Sequence, residues 1–124
     1  MTRHSVKQQH RHLLSHPLVR DYLRERHRGK LSRLALEDVL ADLESFGEVT
    51  LTYAGQAAAA SDRDRRFTCA VASSVWSADA ARGRGATPLL AALRCLMEAL
   101  SETERQARHG HMQMREFLAG PTHG

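Results

Sequence analysis

The residues with the most chemical reach in this sequence are its arginines. Of 18 cationic residues 16 are Arg, whose planar fork suits phosphate and carboxylate better than the point charge of Lys does. Arg20, Arg24 and Arg28 recur every four residues, a spacing that sets them along one side of a helix, with Arg26 and Lys30 close by. A second group, Arg82 and Arg84, flanks Gly83 just ahead of Thr87. There the free N–H groups of a helix start and two guanidinium groups can converge on an anion or phosphate. That turn lacks the Lys-Ser/Thr ending of a P-loop. A third group, Arg63, Arg65 and Arg66, reads as the solvated end of a hairpin.

The remaining reactive types do not assemble a reaction. His10, His12 and His16, and His109 with His111, have spacings that can share a metal, but no Cys pair or carboxylate cluster nearby completes a ligand set. Cys69 and Cys95 are far apart in the chain, have no neighbouring base, and read as two buried thiols. Ser32, Ser73 and Ser74 lack a nucleophile elbow, and no two carboxylates share an otherwise apolar face as a general acid and base would. The expectation is a protein that is not an enzyme and uses neither metal nor cofactor.

Length and charge bound what can position the arginines. A chain of 124 residues, 42% of them hydrophobic, makes one domain with a core sufficient to fold without staples. Six aromatic residues (three Phe, two Tyr and one Trp) leave that core to Leu, Val and Ala, and argue against single-strand stacking platforms. No apolar run reaches a membrane span and the start lacks the apolar stretch of a signal peptide, so the expected location is cytoplasmic, with no membrane partner. Residues 1–30 hold eight cations against Asp21 and Glu25, while the rest of the chain is slightly acidic. A basic arm on an acidic body is a pattern for meeting nucleic acid or an acidic protein face.

Periodicity supplies the elements. Residues 2–16 are polar and His-rich and read as a frayed or partner-ordered helix. Pro17, tolerated at a first helical position, opens a helix to about His27 with Leu18, Val19, Tyr22 and Leu23 on its apolar face, closed by Gly29. Ser32 is the expected N-cap of the next helix, whose Leu36, Val39, Leu40 and Leu43 share a face, with Glu37, Asp38, Asp42 and Glu44 outward. Val49, Leu51 and Tyr53 alternate with polar residues as a half-buried strand does. Residues 54–64 read as a long hairpin connection and residues 65–78 as one or two strands. Residues 78–86 read as turn material before Thr87-Pro88, the strongest helix start in the chain. The helix that follows is apolar around its circumference through Leu100, so it is expected at the centre of the core, breaking at Gly110.

These elements predict an α+β fold: a small antiparallel sheet of two to three strands packed by a central C-terminal helix, with a helical N-terminal region. The expected organisation is a basic helical arm over 1–30, one α+β domain over 31–118 and a disordered tail over 119–124. Within it, Trp76, Thr87, Pro88, Leu89, Ala91, Ala92, Leu93 and Arg94 make residues 66–100 similar to the phage α/β/α sandwich domain family of small phage and prophage proteins. That resemblance implies a phage or mobile-element origin and carries no activity. FTCAV followed by GRGATPLLAALRCLMEAL also resembles the double-stranded-RNA-binding domain in topology. Pro88 and Leu89 stand where that family places lysines, which removes the cations that would span phosphates.

Two functions follow as expectations. The first is a stoichiometric binding inhibitor of a bacterial defence or nucleoprotein complex, of the anti-CRISPR or another anti-defence type. The alternative is a small regulator that binds nucleic acid directly through its basic N-terminal arm. For both, the expected contacts are Arg20, Arg24, Arg26, Arg28, Lys30, Arg82 and Arg84; the sequence leaves the oligomeric state open.

Overall fold

The computed structural model describes residues 6–28, 34–53, 66–73 and 80–119, and side chains within them except those of Val6 and 109–119. The order of elements is α1 (Val6–Ser15), α2 (Pro17–His27), α3 (Leu36–Glu44), β1 (Glu48–Tyr53), β2 (Phe67–Ala72), β3 (Ala81–Gly85) and α4 (Pro88–Ala119). This is the α+β architecture that the periodicities predict, with three strands in the order β1-β2-β3, both pairs antiparallel.

The helix α4 is the hub, against which β3, β2, α3, α1 and α2 all pack. Thr87 starts it as its sequence requires: the Thr87 hydroxyl accepts the Leu90 N–H at 3.1 Å, its carbonyl accepts the Ala91 N–H at 3.1 Å, and Pro88 fills the position that has no N–H to satisfy. Leu90, Ala91, Ala92, Leu93, Cys95, Leu96 and Ala99 are buried, as expected for a helix covered on several sides. The helix does not stop at Gly110 but runs 32 residues to Ala119, about 48 Å at the α-helical rise. A single Gly costs about 1 kcal/mol in a helix interior, too little to end one that long flanking segments support.

Between β2 and α4 the structure departs from the sequence reading. Ala81–Gly85 is a strand rather than a turn, paired to β2 with Val71 opposite Ala81, Cys69 opposite Gly83 and Phe67 opposite Gly85. The segment ARGRG alternates after all, with small residues inward and Arg outward. The inward positions are small because α4 lies on them by its backbone. A Cβ at Gly83 would stand 2.2 Å from the Cys95 nitrogen and 2.4 Å from the Ala91 carbonyl oxygen.

The N-terminal helices belong to the same core. Residues 6–15 form the expected helix, which is packed into the core through Leu13 rather than frayed or left for a partner to order, and α2 buries Val19 and Leu23 beside Val39, Leu43 and the α4 residues. His16 is extended, at φ −64° and ψ 129°, as the residue before a proline must be, and so breaks α1 from α2. The latter ends at His27 as expected, but its cap is Arg28 in place of Gly29: Arg28 takes the left-handed conformation, φ 45°, and its N–H caps the Arg24 carbonyl at 2.9 Å. The next helix begins after Ala35, whose N–H is held by the Asp38 carboxylate at 3.0 Å. The expected cap Ser32, the connection over 54–64, Val75-Trp76 and the tail over 120–124 lie outside the described residues.

Candidate binding surfaces

The helices cover one side of the sheet. Cys69 and Val71 of β2 face them and are fully buried, so the alternation of a strand turns Thr68, Ala70 and Ala72 to the other side. Register then assembles two rows across that outer face: Thr52, Thr68 and Arg84, and beside it Thr50, Ala70 and Arg82. Both Arg side chains are exposed and two residues apart on one strand, which sets their Cα atoms about 7 Å from each other. Among the described residues neither is in an ion pair, and no element covers this face. Glu48, opposite Ala72 at the far end of β1, is the acidic residue on it.

This geometry corrects the expected anion turn. Arg82 and Arg84 do not converge on the start of α4; they leave β3 on the face away from that helix. Thr87 meanwhile takes the Leu90 and Ala91 N–H groups. What the two arginines share is the sheet.

The stripe on α2 is divided by its partners. Arg20 Nε donates to Asp21 Oδ1 at 3.2 Å, an exposed pair of little energetic weight. Arg26 Nε donates to Asp42 Oδ1 at 3.2 Å and its guanidinium lies 5.6 Å over the Tyr22 ring. That bond holds the Arg26 pKa above its ordinary value. Arg24 and Arg28 are exposed and in no ion pair among the described residues, and Lys30 lies outside them. Because α2 packs on α1 and α4, not on the sheet, Arg24 and Arg28 stand on a different surface from Arg82 and Arg84.

Asp42 is the residue that sequence reasoning misplaced. Expected on the acidic outer face of α3, it is 4% exposed, and its other oxygen meets His27 Nε2 at 2.7 Å. A buried carboxylate thus clasps the C-terminal turn of α2 to α3. The signal was present in part: Asp42 follows Val39 by three and precedes Phe46 by four, which places it at the margin of the apolar stripe. Its partners, 16 and 15 residues away, are beyond any local pattern. A carboxylate-oriented imidazole is half of a nucleophile-activating device, but no hydroxyl or thiol of the described residues is hydrogen-bonded to His27.

The other reactive groups are in the core. Cys95 donates to the Ala81 carbonyl at 3.4 Å, and it sits over Gly83, the cross-strand neighbour of Cys69. The neighbouring Cys69 thiol, and then burial, push the Cys95 thiol far up. His10 is also drawn in: burial, then the nearby Arg94, lowers its pKa, so it resists the charging expected of an exposed histidine cluster. Arg94 itself ties three elements, donating to the Arg84 carbonyl at 2.6 Å and to Gln9 Oε1 at 2.7 Å. Among the described residues no three His, Cys, Asp or Glu side chains gather as a metal site needs, and no helix is long and apolar enough to cross a membrane.

The chain matches no protein-family model, no curated protein and no solved structure. The phage resemblance over 66–100 therefore rests on the residues that carry it.

Proposed function

We propose that this chain is a stoichiometric binding protein, an accessory of phage or mobile-element type, that engages a bacterial defence nucleoprotein complex through the nucleic acid the complex carries. The observation that supports this is the outer sheet face, where Arg82 and Arg84 stand side by side, exposed and without an acidic partner among the described residues, next to Thr68, Thr52 and Thr50. Guanidinium and hydroxyl groups on a rigid strand are the donor set that positions a protein on phosphate and sugar without reading sequence. The α2 stripe supports it less, since Arg20 and Arg26 are already paired within the chain.

The test is salt-resolved binding to labelled DNA and RNA, beside affinity capture from a bacterial host with identification of what co-elutes. Two phosphate contacts contribute about −1.8 to the slope of log affinity against log salt. Arg82→Ala with Arg84→Ala is therefore expected to flatten that slope by about two and to weaken binding equally across sequences. Arg24→Glu with Arg28→Glu is the comparison. If this pair abolishes capture of the complex while the sheet variant captures as wild type does, an acidic protein surface meets α2 instead and the nucleic-acid reading is wrong.

A further inference from the structure

The outer edge of β1, unpaired among the described residues, carries large exposed apolar side chains. Leu51 is 38% and Tyr53 56% exposed, although the alternation of the strand predicts burial for both. Their partners Cys69 and Phe67 put them on the helix-bearing side of the sheet, where Tyr53 stacks on Phe67 with ring centroids 4.7 Å apart. Among the described residues no strand lies beyond β1, so its outer N–H and C=O groups form a template for another strand. Natural edges are usually guarded by Lys, Pro, a bulge or an inward charge. The run Val49-Thr50-Leu51-Thr52-Tyr53 carries no charge and no Pro, and its register with β2 is unbroken.

We propose that β1 pairs antiparallel with β1 of a second copy of this chain, centred on Leu51, to make one six-stranded sheet. Side-chain parity restricts the choice, because opposed residues must point to the same face, so a self-paired strand centres on a residue. With Leu51 at the centre, Leu51 meets Leu51, Val49 meets Tyr53 and Thr50 meets Thr52. These are apolar, aromatic to β-branched and hydroxyl pairs, each of a favourable kind. Both exposed side chains gain a neighbour, whereas centring on Thr50 leaves Tyr53 out and sets Thr52 against Glu48.

Charge and symmetry favour a second copy over a different occupant. In the Leu51 register the paired residues 49–53 carry no charge, and no Glu48 faces a Glu48. Pairing β1 with β3 of another copy would be head to tail and open-ended, while β1 on β1 closes with two-fold symmetry. The inward positions of β3 are Ala81, Gly83 and Gly85 beneath α4, which offer Leu51 and Tyr53 nothing to pack on. This inference does not depend on the proposed function.

The experiment is sedimentation of the full chain from micromolar to submillimolar concentration. Wild type is expected to sediment at twice 13.8 kDa. Leu51→Lys and Leu51→Glu each place like charges face to face across the two-fold axis and are expected to sediment at 13.8 kDa, with unchanged circular dichroism. An equimolar mixture of the two is expected to regain the dimer, because Lys then faces Glu. Tyr53→Lys, at the more exposed position, is a second monomer-forming variant should either Leu51 variant fold poorly. A monomeric wild type, a dimer that survives Leu51→Lys or Tyr53→Lys in folded protein, or a mixture of charge variants that stays monomeric overturns the proposal.

Discussion

Asp42 shows how one buried carboxylate changes the meaning of its neighbours. By residue type Arg26 belongs with the surface cations of α2, yet its Nε is directed to a carboxylate with only 5% of its side chain exposed. Removing that carboxylate leaves Arg26, 47% exposed, able to turn to water, but strips His27, 21% exposed, of its one hydrogen-bond partner among the described residues. Removing either base instead leaves the buried acid with one donor fewer. Hydrogen bonds to charged groups contribute about 1.5–3 kcal/mol each, so Asp42→Ala is expected to cost about 2–4 kcal/mol and His27→Ala about 1–3, while Arg26→Ala, whose exposure lets solvent screen it, is expected to cost the least of the three. Urea unfolding of the three variants checks the order, and an Arg26→Ala loss as large as that of Asp42→Ala contradicts the assignment of Asp42 as the clasp.

At the scale of elements, legibility followed the source of burial. The helices α2, α3 and α4 and the strand β2 bury Leu, Val and Cys side chains, and their periods are plain in the sequence; even the Thr87-Pro88 start of α4 is where its residues put it. The strand β3 has no such signature, because it contributes hardly any apolar side chain and is buried by the close approach of a helix backbone. A run of Gly, Ala and Arg reads as a turn unless its period of two is weighed against the helix that must lie on it. For the same reason the α4 side of the fold depends on Gly83 more than on any neighbouring apolar residue. Gly83→Ala sets a methyl group against three backbone atoms that no rotamer change can move. It is expected to cost about 3 kcal/mol or more, while Ala70→Gly, on the uncovered face, is expected to cost under about 1. Thermal melts of the pair decide this; equal losses would mean that α4 does not rest on β3. The candidate surfaces were legible only as residue types: nothing local in the sequence tells that Arg82 and Arg84 share an open face, or that Arg26 is engaged from across the core.

The whole molecule combines an open cationic sheet face with a self-complementary edge, and geometry decides whether the two act together. In the six-stranded sheet the two β3 strands lie five strand spacings apart, about 24 Å, a distance that a single nucleic acid segment spans easily. Twist opposes such bridging. Each strand turns by about 20–25° relative to the next, so across five steps the two Arg82–Arg84 pairs face directions that differ by about 100–125°. A straight duplex laid on one pair leaves the other pointing aside. Each face is therefore expected to bind separately, and a folded monomeric Leu51→Lys or Leu51→Glu variant should keep the salt slope of wild type even if affinity shifts with the added charge. Arg82→Ala with Arg84→Ala should conversely remain a dimer. Measuring both variants by both methods separates the two ideas. A Leu51 variant of either charge that halves the slope would show one ligand bridging the sheet, with the twist relaxed or the ligand bent to meet it.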